Sequence, residues 1–570
     1  MSTVIPDDVL HIICEQIAKD QDFATLFNCV LTGRRLAEPA IKQLYRNHNV
    51  CTSFGGGDTE NLEMAQQRLV VQKWAIVWRS ILASTMQETM FPYARYVRSL
   101  DLRNLSYLLD DPKFGGTEVA KYFFSGRMSS FRSPKGNLKG TRLNTSAILD
   151  AVGDAIVDHA PSLEIVSGDV NGQELIKWAP KLSNLRSLEL WSGNALEDPR
   201  VREAIIASCP KFCGLMFYQW HGKNVDEKMS AFIQGLATPS LRYFEVIGSS
   251  DIGEDTYQVL SSHGPTLTHL SLNLKVEQMQ HLPLLRGCTA IEMLRLEVAS
   301  RGSWTFPSTE DLDTFRVGMS DWLSSCKKLR SLFVDKIEAS AEFVMPVLLD
   351  DDIKLLALDL DSYNAASAQA KAFHQALSGQ KHLERLRLDA DPELMTRDDI
   401  DTFTDSIAEI HTLKSLRLTG VSDYFSDEHV IKLAENLPNL EEFFFTGLLV
   451  ADSILPPLAK LRNLRLVSVS AISKFSASGL LDFARQLGPG NRNILVAVNC
   501  ADASANLDEA ELARINDALR ENVDGKLEFT LWRGMYGLAL NANNEPVVVI
   551  LRRVTVFFPD PFFSRLIHRG

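Results

Sequence analysis

A pattern L-x-x-L-x-L returns along most of the chain, and no other feature limits the fold as strongly. It reads Leu185-Leu188-Leu190, Phe212-Leu215-Phe217, Leu241-Phe244-Val246, Leu267-Leu270-Leu272 and Ile291-Leu294-Leu296. It continues through Leu329-Leu332-Val334, Leu355-Leu358-Leu360, Leu383-Leu386-Leu388, Leu413-Leu416-Leu418, Leu440-Phe443-Phe445 and Leu464-Val467-Val469. Weaker copies stand at Val97-Leu100-Leu102 and around Val496 and Phe529. From Leu188 to Phe529 the middle positions are 24 to 38 residues apart. A period of this length means an array in which one unit cannot bury its apolar face alone and its neighbours complete the core.

Within each unit the L-x-L piece alternates as a short strand with one buried face, and the following segment has helical spacing. In 396–410 the apolar residues Ile400, Phe403, Ile407 and Ile410 repeat with a helical period, and Thr396 with Asp399 forms a capping box. These residues resemble the leucine-rich repeat family over roughly residues 95–535. The joints Ser208-Cys209-Pro210-Lys211-Phe212 and Asn436-Leu437-Pro438-Asn439-Leu440 are similar to its cysteine-containing subclass. The resemblance implies an α/β solenoid of horseshoe form, with the strands lining its concave face.

The N-terminus, residues 1–50, reads differently. Ile5-Pro6-Asp7-Asp8-Val9-Leu10 leads into Ile13 and Ile17, then Phe23, Leu26, Phe27 and Val30, then Arg34-Arg35-Leu36 and Leu44-Tyr45-Arg46. These are three short helical patterns; Asp7 and Asp8 fall in a first turn, where they complement the helix dipole. The order resembles an F-box of the fungal kind, with an Ile-Pro opening, an acidic turn from Asp20 to Asp22 and a Leu-Tyr-Arg ending. That resemblance implies the substrate-recognition subunit of an SCF-type ubiquitin ligase. The F-box would dock a Skp-family adaptor, and through it a cullin scaffold, with an apolar face that includes Pro6, Val9, Leu10, Ile13 and Ile17. The alternative from another class is a non-catalytic repeat scaffold or ligand-binding protein whose N-terminal helices only cap the solenoid.

Residues 51–94 form a linker region in which Trp74, Val77, Trp78, Ile81 and Leu82 lie at near-helical spacing, so both tryptophans are expected in a core. Gly55-Gly56-Gly57 lacks a following Lys-Ser/Thr and is a loop, not a phosphate cradle. Residues 119–149 carry Lys121, Arg127, Arg132, Lys135, Lys139 and Arg142 with no acidic residue, and the expectation is an inserted mobile loop with a Ser133-Pro134 dipeptide. Residues 536–570 read as a β-hairpin and tail that cap the last repeat.

Strand alternation places the neighbours of each middle leucine on the concave face. Trp191, Met216, Tyr218 and Tyr243 stand there, and aromatic side chains are favoured anchors of protein interfaces. Arg295 stands on the same face, and Arg385, Arg387 and Arg417 form a second candidate surface. Residues 389–442 hold 14 acidic and 4 basic residues. A basic partner segment and a phosphorylated one both stay open.

Acidic residues number 72 against 59 basic ones in the 570-residue chain, which argues against a nucleic-acid binder. Eight cysteines without paired spacing argue against a disulfide framework or a zinc quartet. Cys209, Cys213 and His221 lack a fourth metal ligand, and Cys209 is expected in the core. No hydrolase, P-loop or dinucleotide motif stands in a fitting context, so neither an enzyme nor a cofactor is expected. Met1–Asp8 has no basic stretch before an apolar one, and no run reaches membrane-spanning length. The expectation is a cytoplasmic or nuclear protein without membrane contact.

Overall fold

Leucines at strand positions force the chain into stacked units, and the computed structural model shows how. It describes residues 5–48, 63–115, 117–132, 143–299, 308–337, 340–363, 370–390, 396–422, 424–447 and 450–531. The expected hairpin at 536–570, the Gly55-Gly56-Gly57 loop and Ser133-Pro134 lie outside these residues. The chain divides into two compact units, Met1–Ala290 and Ile291–Gly570.

The first unit begins with α1 (Asp7–Lys19), α2 (Phe23–Thr32) and α3 (Arg34–Arg46). Asp7 and Asp8 occupy the first turn of α1, and the Asp22 side chain caps α2 by accepting from the Thr25 amide at 2.9 Å. Cys14, Ala18, Leu26 and Ala40 are buried between the three helices, with Ile17, Phe23, Val30, Leu36 and Leu44 packed around them. Next comes α4 (Met64–Thr85), which buries Trp74 and Trp78. Both indole N–H groups donate to Asn104 Oδ1, at 2.7 and 2.8 Å, and tie α4 to the helix Leu102–Asp110. The Tyr45 hydroxyl on α3 meets Ser80 on α4 at 2.7 Å, and the Tyr45 ring stacks on Tyr93.

Six parallel strands follow: β1 (Ser99–Asp101), β2 (Ile165–Gly168), β3 (Ser187–Ser192), β4 (Gly214–Gln219), β5 (Tyr243–Val246) and β6 (His269–Leu274). Leu100, Val166, Leu188, Leu215, Phe244 and Leu270 pair in register across them, and all six are buried. Each fully buried apolar side chain of this kind is worth about 1.5–3 kcal/mol. The helices between the strands add Val201, Ile205, Met229, Phe232, Tyr257 and Leu260 to the same core.

Cysteine suits the joints because it is small and apolar and can still donate weakly. Cys209 is buried with its thiol against the Ala179 carbonyl at 3.7 Å, and Cys288 and Cys326 are buried in matching positions. Burial pushes the Cys209 thiol up to about 11 and that of Cys326 up to about 12. Gln380 takes the same place before Leu386, where its amide donates to the Leu348 carbonyl at 2.9 Å.

The second unit repeats the plan with β7 (Met293–Val298), β8 (Ser331–Asp335), β9 (Ala357–Tyr363), β10 (Arg385–Ala390), β11 (Ser415–Thr419) and β12 (Glu442–Phe445). It continues with β13 (Val450–Ala451), β14 (Leu466–Val469), β15 (Ser473–Lys474), β16 (Leu495–Ala501) and β17 (Lys526–Leu531). Leu294, Leu332, Leu358, Leu386, Leu416, Phe443, Val467, Val496 and Leu527 form its parallel in-register core row. The helix Arg397–Ala408 starts at the Thr396–Asp399 capping box and buries Ile400, Phe403 and Ile407.

The basic stretch is not a loop throughout. Glu118–Phe123 and Ser129–Arg132 are helical, and a helix runs from Thr145 to His159. Phe123, Phe124, Met128 and Phe131 are buried, and Phe114, Phe123 and Phe124 meet edge to face. Arg79 anchors the segment by donating to the Tyr122 and Phe123 carbonyls at 2.9 and 2.8 Å. Irregularly spaced aromatics in two short helices carry no periodic signal, so the buried side was invisible in the pattern.

Candidate protein-interaction surfaces

Helix phase decides which residues of α1 remain available for a partner. Leu10, Cys14, Ile17 and Ala18 share one face, and that face is needed for the three-helix core. Leu10 is buried and Ile17 packs into the cluster, which removes both from the expected adaptor surface. Pro6, Val9 and Ile13 are exposed. The sequence reading missed Ile12 at 64% exposure, and on α2 it missed Phe27 at 56% and Leu31 at 70%. The available signal was that α2 is apolar on more than one face. Arg35 at the start of α3 holds the beginning of α1, donating to Asp7 at 3.0 Å and to the Ile5 carbonyl at 2.7 Å. The module therefore has a complete core and still presents large apolar side chains on α1 and α2.

In the first unit, the strand face away from the leucines has its own rows. Asp101, Ser167, Glu189, Met216, Glu245 and Ser271 pair in register. One row further along, Trp191 and Tyr218 stack at 4.6 Å with their rings within 2° of parallel, and Ile247 follows just past the end of β5. All three are exposed, Trp191 at 41%. Tyr243 does not join this stack. It precedes its middle residue Phe244, whereas Trp191 and Tyr218 each lie beyond theirs, and its hydroxyl donates to the buried Glu245 carboxylate. Burial pushes the Glu189 carboxyl up to about 7; Arg103 acts against that shift, and Asp101 and Glu245 add to it.

The second unit carries a charged row: Arg295, Phe333, Asp359, Arg387, Arg417 and Phe444 pair in register. Arg387 donates to Asp359 at 3.1 Å and stands 3.9 Å from Asp335. Arg295 lies 3.6 Å from Asp335 and over the Phe333 ring at 5.0 Å. Arg417 covers the Phe444 ring at 4.3 Å, and Arg385 stands one row back, in register with Ala357 and Ser415. Burial raises the Asp335 carboxyl to about 7, with Asp359 adding to the shift and Arg295 and Arg387 opposing it. Burial raises Asp359 as well. Asp335 and Asp359 stand against Arg295 and Arg387, so these two arginines already have acidic neighbours on the strand face.

Among the described residues no group of three or more His, Cys, Asp and Glu side chains is placed to hold a metal. His221 pairs instead with Asp251, 3.4 Å away. No described helix is long and apolar enough to cross a membrane.

Parallel in-register ladders with a leucine-lined face against helices form a leucine-rich repeat fold. No family model and no curated protein matches the chain. Among solved structures, a chain of the Rad7 and Elc1 complex in yeast is 13% identical, with a TM-score of 0.35 over 69% of this chain and 93% of that one. The leucine-rich repeat-containing protein LegL7 from Legionella pneumophila is 12% identical, with a TM-score of 0.25 over 65% of this chain and 93% of that one. An internalin from Listeria monocytogenes is 14% identical, with a TM-score of 0.25 over 55% of this chain and 86% of that one.

Proposed function

We propose that the chain is the substrate-recognition subunit of an SCF-type ubiquitin ligase, working in the cytoplasm or nucleus. The α1–α2 side of the N-terminal module docks a Skp-family adaptor and, through it, a cullin scaffold. The strand faces hold a protein substrate. The chain does no chemistry itself; it supplies proximity and orientation to a transfer catalysed elsewhere in the complex.

One observation carries this reading. A module that served only as a cap would bury its large apolar residues against the repeats. Here α3 makes the contacts to α4 and Tyr93, while Ile12, Ile13, Phe27 and Leu31 stay exposed on the other two helices. Exposed apolar residues in such a group mark a binding surface, and burying them in a groove is a common mode of helix recognition.

Ile12→Asp/Ile13→Asp tests the reading. Both side chains are exposed, so the variant keeps its helical circular-dichroism signal. Its affinity for a purified Skp-family adaptor falls by about a hundredfold, the loss expected when two contact residues of an apolar interface become charged. A wild-type chain that fails to bind the adaptor overturns the proposal.

A further inference from the structure

The sheet of the second unit ends on β17, and its outer edge is open. Among the described strands β17 pairs with β16 alone. Parallel pairing turns the backbone groups of alternate residues to opposite sides. The Lys526 amide donates to the Ile494 carbonyl at 2.9 Å, so the Leu527 amide points away from β16. There the Asn516 side chain, on the helix Glu509–Val523, accepts it at 2.8 Å. The Phe529 amide and carbonyl point the same way, and among the described residues nothing pairs with them.

The apolar row is unfinished at the same place. Leu418, Phe445, Val469 and Val498 stand in register and are buried, each with a further strand beside it. Phe529 is the next residue of that row and is only half-buried, as is Leu531 beyond it. Proline or a free lysine often guards an edge against pairing. β17 has no proline, and its single lysine, Lys526, is held by Glu528 at 2.6 Å. A repeat array needs a last element that covers its final apolar face.

The sequence beyond β17 supplies a fitting occupant. Val547, Val548, Val549, Ile550 and Leu551 form an unbroken aliphatic run, and all but the last are β-branched, the side chains favoured in strands. Fifteen residues, 532–546, separate this run from β17. They suffice for a hairpin return and for the crossover of about a dozen residues that a parallel strand needs. A segment tethered this closely reaches an effective concentration of about 1 mM, well above that of a second copy in solution.

We propose that the open edge of β17 is the docking site of residues 547–551 of the same chain. The segment adds the next strand, takes the Phe529 backbone groups into its ladder and covers the Phe529 ring. The edge is then closed to strand addition by another molecule. This assignment goes beyond the ligase reading and does not rest on it.

The test is hydrogen–deuterium exchange of the full chain, read at the Phe529 amide by electron-transfer fragmentation. In the wild type this amide exchanges about tenfold or more slower than an unpaired one. Val549→Asp puts a charge in the middle of the added strand and raises the Phe529 rate by about tenfold or more. His568→Asp places a charge outside the segment and leaves the rate as it was. Unchanged exchange in β14 and β16 shows that the repeats stay folded in both variants. A Phe529 amide that exchanges freely in the wild type, or equally fast in the wild type and Val549→Asp, overturns the assignment. Protection lost on dilution from about 50 to about 1 μM gives the edge to a second copy and overturns it as well.

Discussion

Trp78→Ala is expected to lower the unfolding free energy of the first unit by about 3–5 kcal/mol, the range for removing a large buried aromatic. Trp78 is 1% exposed, and its indole shares the Asn104 side-chain oxygen with Trp74. Truncation therefore opens a cavity between α4 and the first repeat helix and also removes a hydrogen bond. Asn104→Leu separates the two effects. It keeps the volume but leaves both indole donors facing an apolar group, at about 1–3 kcal/mol for each unsatisfied donor. Urea denaturation followed by circular dichroism measures both variants. Met90→Ala, at a position 91% exposed, serves as the control and changes stability by about 0.5 kcal/mol or less. A Trp78→Ala chain as stable as that control would mean that α4 is not joined to the repeats in this way.

The second large effect is a pH dependence set by the buried charges of the second unit. Asp335 is almost fully buried beside Asp359 and has a carboxyl raised to about 7. An acid raised in the folded chain keeps its proton after the unfolded chain has released its own, from about pH 4 upward. Between those two values the native state binds more protons, so stability falls as pH rises and is lowest above pH 7. The difference of about three pH units sets a ceiling on the order of 4 kcal/mol, and relaxation together with the opposing arginines brings the expected loss to about 1–3 kcal/mol. Asp335→Asn removes the ionisation and flattens the dependence, so its gain over the wild type is larger at pH 8 than at pH 5. Urea midpoints from pH 5 to 8 measure this. A variant with the wild-type slope would show that Asp335 does not carry the effect. Glu189 acts in the same direction in the first unit, which is why the comparison is between variants and not between pH values alone.

The repeat fold was legible because its signal is local. A period-two strand with leucine at fixed places announces its buried face at every copy, and the Thr396–Asp399 box marks a helix start in four residues. Surface assignments failed where they depended on phase. Counting three places on from the middle residues Leu188, Leu215 and Phe244 leads to Trp191, Tyr218 and Ile247, so the register that excludes Tyr243 is present in the sequence. The same holds for α1, where Leu10 and Ile17 fall on the stripe of Cys14. The neutralisation of Arg387 is different in kind. Its partners Asp335 and Asp359 lie on two other strands, and only the pairing of β8, β9 and β10 brings them within 3.9 and 3.1 Å.

The central claim is that one side of the N-terminal module is an adaptor site and the repeats are not. Hydrogen–deuterium exchange of the full chain, with and without a saturating Skp-family adaptor, tests it most directly. The account predicts new protection in α1 and α2, around Val9, Ile12, Ile13, Phe27 and Leu31, with exchange in the strands of both units unchanged. Protection that appears in the strands, or none in α1 and α2, would contradict it.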